Sequence, residues 1–260
     1  LFRSLVRVGD TSDGSQVGAN IVIGTVGLHF IDISLNTDGS IIAIGACTNG
    51  STGIVKIYKY DNGWNLDKTF TTTDNNTFLG FSVSLNGDGT IVAYSEPKLP
   101  NGGLPGIVSV NEYINGEWSQ KGSDIKAISV LDFGYFFGNT ISLNKSGNVL
   151  TVNSNEGYTH IYTYKNNEWV LLSDFIIINA PSEVAITGRS ISINDSGDTI
   201  VMGLPNNDDN GTNSGQFKVF TITPLTTITT TTLNNQKFGE NILSAELYFR
   251  GIKRFEKQDM

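Results

Sequence analysis

The chain has one cysteine, two histidines, two methionines and six prolines among its 260 residues. A lone Cys47 excludes an intrachain disulfide, so the fold must rest on its own core. His29 and His160 stand at no spacing that suggests a metal pair or a Ser-His-Asp arrangement. Positive charge is scarce: 17 Lys and Arg face 25 Asp and Glu, a formal net charge of −8. Nucleic-acid binding needs many cations to displace counterions, and no such partner is expected. No apolar run approaches the length of a transmembrane helix, so membrane insertion is not expected. The N-terminus, Leu1-Phe2-Arg3-Ser4, has neither an initiator Met nor a signal-like apolar stretch. It reads as a processed chain or a segment of a longer one.

What the chain does have is glycine, 29 in all, with abundant Ile, Val, Tyr, Phe and Thr, a turn-rich and strand-forming composition. It also has a repeat. Ile33-Ser34-Leu35-Asn36-Thr37-Asp38-Gly39-Ser40 returns as Val83–Thr90, Ile141–Asn148 and Ile191–Asp198, the serines 50, 58 and 50 residues apart. Each copy predicts an alternating strand, a tight turn whose residues tolerate positive φ, and a more apolar strand suited to burial on both faces. A second hairpin follows: Val55–Tyr60 runs to Trp64, Val108–Tyr113 to Trp118 and Thr159–Tyr164 to Trp169. In the fourth unit Phe217–Phe220 leads to Pro224 and the Trp is missing.

Four strands per unit, repeated, predict an all-β fold: a β-propeller of about five four-stranded blades, with a long β-solenoid as the other architecture. Ser15–Ile21 matches Ser119–Ile125, so the N-terminus falls at the third or fourth strand of a blade. Phe238–Ile242 matches Phe137–Ile141, which opens a blade, so the two termini together predict a fifth blade that closes the ring and leaves no exposed edge. The expected division of this single domain is a half blade over 1–27, repeats over 28–76, 77–130, 131–185 and 186–233, and closing strands with a basic tail over 234–260. The Thr-rich stretch between Thr221 and Leu233 is expected to form a strand running into a loop.

Phe78-Leu79-Gly80-Phe81-Ser82-Val83-Ser84, Asn86-Gly87-Asp88-Gly89, Ser95-Glu96-Pro97 and Gly106-Ile107-Val108 together resemble the FG-GAP repeat of integrin-α-like propellers. Repeats of this kind are frequent in bacterial surface proteins and in predicted proteins of large DNA viruses. The resemblance implies a propeller used for adhesion or assembly rather than catalysis. The family's calcium loop does not carry over. Its first position is Ser34, Ser84, Ser142 or Ser192, its third is Asn, and its fifth is acidic only at Asp38 and Asp88. A cage with at most one carboxylate binds calcium poorly, so no metal and no cofactor are expected.

Other chemistry is thin. His160 occupies an alternating strand position whose counterparts in the other units are Lys56 and Ser109, and is expected to be exposed; Cys47 ends a buried strand and reads as an inert thiol. Asp10 with Asp13, Asp208 with Asp209, Glu96 and Glu156 are the carboxylates a glycosidase would draw on, but adjacent acids usually mark a solvated loop. Trp64, Trp118 and Trp169 are expected to pack on a neighbouring blade rather than stack sugars. Five Asn-x-Ser/Thr sequons begin at Asn49, Asn75, Asn144, Asn194 and Asn210.

The expected function is therefore a non-enzymatic interaction or adhesion module of a cell-surface or virion-surface protein, with a protein or glycan as partner. A capsid or fibre component contacting neighbouring subunits is the second reading, and a carbohydrate-active propeller enzyme the third. The inter-strand turns at one end of the units are short and uniform, whereas Glu96 to Gly106, Leu131 to Phe136, Ala180 to Thr187 and Leu204 to Gly215 differ in every unit. Loops released from the fold's constraints are where recognition usually resides. The expected binding residues are Tyr135, Phe136, Asp208, Asp209 and Asn210, with no catalytic residues.

Overall fold

One hairpin, Asn-x-x-Gly between an alternating strand and an apolar one, starts each of four antiparallel sheets in the computed structural model. The structure describes residues 4–10, 12–24, 30–47, 53–74, 77–97, 105–127, 136–154, 158–177, 190–204, 211, 214–222 and 228–233. Among them there is no helix. β1 (Ser4–Val6) and β2 (Ile21–Gly24) pair as a two-stranded sheet. β3 (Phe30–Leu35), β4 (Ile41–Cys47), β5 (Ile54–Tyr60) and β6 (Trp64–Thr71) form the first four-stranded sheet. β7 (Val83–Leu85), β8 (Ile91–Glu96), β9 (Ile107–Ile114) and β10 (Glu117–Gln120) form the second, where β11 (Ile125–Lys126) resumes the outer edge beside β9. The third is β12 (Thr140–Leu143), β13 (Val149–Asn153), β14 (Tyr158–Lys165) and β15 (Glu168–Ile177). The fourth is β16 (Ile191–Ile193), β17 (Thr199–Leu204), β18 (Gln216–Ile222) and β19 (Ile228–Leu233), so the Thr-rich stretch supplies an outer strand.

Strand order follows the chain in every sheet, and first strands neighbour one another: β3 lies against β7, β7 against β12, and β12 against β16. The result is a propeller-like row of blades. The pairing of residues 1–20 with 236–250 falls outside the described residues. The N-terminal pair has the register of an outer half blade: Val6 faces Ile21 as Val108 faces Ile125, and Gly9 bridges Gln16 as Asn111 faces Gln120.

The core lies between blades, not within one. Second strands are sandwiched on both sides, which is why β4, β8 and β13 are almost continuously apolar and buried. Ala43, Val55 and Ile57 of blade one meet Leu79, Val83, Leu85 and Val92 of blade two, and comparable clusters join blades two to three and three to four. Val6, Ile21 and Ile23 of the half blade cover Ile42, Ile44 and Tyr58.

Polar groups stitch these seams at the inner strands. The repeated serine accepts from the next blade's backbone: Leu85 N–H donates to Ser34 Oγ (2.9 Å), Leu143 N–H to Ser84 Oγ (3.0 Å) and Ile193 N–H to Ser142 Oγ (3.3 Å). The repeated asparagine closes its own turn, its Oδ1 accepting from the N–H of Ile41, Ile91, Val149 or Thr199 at 2.8–3.0 Å. Only glycine takes the left-handed corner comfortably, and Gly39, Gly89, Gly147 and Gly197 have φ between 67° and 78°.

Candidate functional site

Antiparallel order puts the first-to-second and third-to-fourth turns at one end of each blade and every other connection at the opposite end. At the first end the inner turns always hold five residues, 36–40, 86–90, 144–148 and 194–198. They are also bonded blade to blade: Thr37 N–H donates to Gly87 O and Gly87 N–H to Lys145 O, both at 2.8 Å. At the opposite end the connections run from four residues (154–157) to 13 (127–139 and 178–190). The candidate binding face is this second end.

Of the sequence-predicted binding residues only Phe136 is described; Tyr135, Asp208, Asp209 and Asn210 lie outside the described residues. Phe136 opens a turn that blade two shares. Phe78 and Phe136 both have φ 54°, followed by Gly80 at 81° and Gly138 at 88°. A phenylalanine at such a φ is strained and is held only by its surroundings. Here the holder is the next residue: Leu79 and Phe137 are 1% and 0% exposed, wedged against the preceding blade. Gly45 and Gly106 make room, since a Cβ there would stand 2.1 Å from Gly80 O and 2.5 Å from Phe137 O. This turn accounts for the Phe-x-Gly part of the repeat.

Phe136 is half-buried and its ring lies 6.5 Å from that of Phe81 in blade two. Sequence reasoning did not single out Phe81, because Asn139 holds its place in the next repeat and only the packing of blades brings it to Phe136. Nearby, Asp32 Oδ2 accepts from Ser82 Oγ (2.9 Å) and Val83 N–H (2.8 Å), so this carboxylate acts as a blade-to-blade clamp.

The remaining candidates resolve into structure. His160 is not the exposed strand residue expected from its counterparts but is 0% exposed. Its strand is covered by blade four, where Thr159 reaches Met202, and Phe137, larger than the Leu79 of blade two, stands edge-on to the imidazole at 5.4 Å. Cys47 is fully buried and burial pushes its thiol up to about 11, so it is no nucleophile at neutral pH. Asp10 and Asp13 are exposed, and hydrogen bonds from Ser12 and Ser15 hold their carboxyls below the ordinary value, the opposite of what a general acid needs. Trp64 and Trp169 donate Nε1–H to Val17 O (2.9 Å) and Lys121 O (2.8 Å) of the preceding blade, and Trp118 to Asp67 Oδ2 (2.7 Å). Trp64 and Trp118 also pack against the tyrosine of their own hairpin, as Trp169 does against Tyr164. Asn144 and Asn194 spend both ends of their amides on the turn, so these two sequons are unsuited to a glycan in the folded chain. Among the described residues no three His, Cys, Asp or Glu side chains converge on a metal position.

No family model matches the chain, and no curated relative matches it. Among solved structures it is similar to a protein from Lactobacillus plantarum determined by a structural-genomics consortium, with a TM-score of 0.55 and 13% identity. The match covers 94% of this chain and 64% of that one, so this chain spans under two thirds of its neighbour's length. The likeness is one of fold alone.

Proposed function

We propose that the chain is a non-enzymatic interaction module, an FG-GAP-like propeller of five blades. Its ring closes through the terminal segments, and it holds a protein or glycan partner on the face that carries the long connections. The carrying observation is the contrast between ends: five-residue turns bonded blade to blade at one, connections of four to 13 residues at the other. Length variation accumulates where the fold does not need a fixed path, and such surfaces are free to specialise in recognition. Aromatic side chains there supply anchors, and Phe136 with Phe81 starts such a patch. A surface location, on a cell or a virion, is part of the same proposal.

The test is a screen of the intact chain on glycan and protein arrays, repeated with two variants. Alanine at Tyr135, Asp208, Asp209 and Asn210 should abolish any hit and leave the melting curve unchanged; Phe136 is left in place because its turn seals a seam. Alanine at Thr37, Asp38 and Lys145, on the opposite end, should leave the hit intact. Binding that survives the first variant and fails with the second would assign the wrong face. Turnover of an arrayed glycan would replace the module with an enzyme.

A further inference from the structure

Six Asn-Gly pairs occur in the chain, and three lie wholly among the described residues: Asn62-Gly63, Asn86-Gly87 and Asn115-Gly116. This dipeptide is chemically labile, because a glycine has no Cβ to shield its amide nitrogen from the carboxamide before it. The fold treats the three pairs differently. Asn86 is 3% exposed, and its Oδ1 is committed to the Ile91 N–H, from which it accepts at 2.8 Å. The Gly87 N–H is committed too, donating to Lys145 O of blade three at 2.8 Å. Lys145 and Thr37 close in from the two flanking blades, 2.5 and 3.2 Å from where a Cβ on Gly87 would stand. Asn62 and Asn115 instead sit at the tips of the outer hairpins of blades one and two, both exposed, with φ 52° and 54°. A Cβ on Gly63 or Gly116 would meet nothing within 4 Å. Among the described residues no backbone group accepts from the N–H of either glycine. The bonds of the first tip run from Asp61 N–H to Gly63 O and from Asn65 Nδ2 to Asp61 O and Gly63 O.

We infer that Asn115 and Asn62 are sites of spontaneous deamidation in the folded chain and that Asn86, in the same dipeptide, is not. The Gly116 amide nitrogen loses its proton to solvent base and bonds to Asn115 Cγ. The Cγ–Nδ2 bond then breaks and ammonia leaves with a proton from water, forming a succinimide. Water opens this ring at either carbonyl, giving aspartate or isoaspartate with no change of oxidation state. The tip is free to bring those atoms together because nothing packs on its glycine. Asn86 must first break one bond in its own turn and another across the seam. Asn115 reacts faster than Asn62. Asn62 Nδ2 donates to Asp61 Oδ1 (3.2 Å), and that carboxylate repels the anionic nitrogen that attacks. Blade three carries the natural comparison: its tip has the same left-handed corner, Asn166 and Asn167 at φ 53° and 63°, but its second residue bears a side chain. Each event sets a carboxylate in place of a neutral amide, at the end of the blades opposite the candidate binding face.

The test is to incubate the intact chain in mildly alkaline buffer and map its peptides by mass spectrometry, with the chain in denaturant as the reference for each site. In the folded chain Asn115 should convert fastest and Asn62 next, with Asn86 slower than Asn115 by about a hundredfold or more. In denaturant the three should fall within about tenfold of one another, since only local sequence then distinguishes them. Conversion of Asn86 at the rate of Asn115 in the folded chain would overturn the inference. So would an Asn115 that converts in denaturant and stays intact when folded, or an equal spread of rates in both states. A substitution gives an independent readout. Asn167→Gly, at a corner that glycine occupies freely, should speed conversion of Asn166 by about tenfold or more and leave the melting curve in place. An unchanged Asn166 in that variant would reject the open tip as the cause.

Discussion

The inner half of each blade makes the same polar contacts in turn, whereas the outer half solves the same problem differently each time. Ser34, Ser84 and Ser142 occupy one position and accept from one amide of the next blade. On the outer strands, Trp64 and Trp169 reach a backbone carbonyl, but Trp118 reaches the Asp67 carboxylate. Lys59 lies 3.6 Å above the Tyr113 ring and is paired with Asp67, while Lys121 lies 4.2 Å above Tyr164 and is paired with Glu112 from a different strand. Blade four has no Trp. The difference follows from solvent. At the inner strands an amide that loses its partner stays buried and unsatisfied, which costs about 1–3 kcal/mol. On the outer strands the pairs are only partly buried, their side chains 10–32% exposed, and water can replace a contact that is lost.

The sharpest way to break this contrast is Gly45→Ala, which would set a Cβ 2.1 Å from Gly80 O of the next blade. Backbone faces backbone there, so we expect a loss of about 3 kcal/mol or more, read from the denaturant midpoint. Next, Asn144→Ala should cost about 2–3 kcal/mol, because it strips partners from the Asn148 and Val149 amides at a site 2% exposed. The same change at exposed Asn194, in the last described blade, should cost about 1 kcal/mol. Equal losses would mean that the turn, not the seam, sets the energy. At the rim Trp169→Phe should cost about 1 kcal/mol and be indifferent to salt, since its acceptor is a carbonyl. Trp118→Phe should cost less as salt rises, since its acceptor is an exposed carboxylate.

The smallest effect concerns acid. Hydrogen bonds from the Ser40 hydroxyl and amide hold Asp38 below its ordinary 3.8, and those from Asn194, Ser196 and Thr199 do the same for Asp198. At Asp88 burial pushes the carboxyl up, but the Thr90 hydroxyl and amide outweigh it. A depressed folded value means stability that is present above the unfolded value and is lost as pH falls through the folded one. These turns should therefore add no pH dependence between pH 5 and 8 and weaken only below about pH 4. Asp38→Asn should flatten the acid limb of a melting-temperature profile slightly and leave the neutral plateau in place.

Much of the molecule was legible in advance because the repeat carries both of its periods. Ile-Ser-Leu-Asn alternates as a half-buried strand must, the glycine three residues after each Asn marks the corner, and Ile42-Ala43-Ile44 reads as buried on both sides. The outer hairpins turn through residues at positive φ too, Asn115 and Gly116 at 54° and 91°, Asn166 and Asn167 at 53° and 63°. His160 was not legible. Its counterparts in the other units, Lys56 and Ser109, are half-buried polar residues, and nothing local says that Phe137 will crowd this copy. The candidate face was legible as a set of unequal connections, and the partnership of Phe136 with Phe81 was not.

The amino-acid sequence by itself determined the all-β character, the four-strand unit and the turn chemistry, because alternation, β-branched runs and Asn-Gly corners are local properties of the chain. Only the tertiary structure decided what the repeated residues do. Ser34, Ser84 and Ser142 hold the next blade's backbone, Leu79 and Phe137 plug the seams, and Leu35 stands exposed where Leu85 does not. Those roles depend on what lies across the seam about fifty residues away, and adjacency between blades, not spacing along the chain, sets burial and hydrogen bonding there.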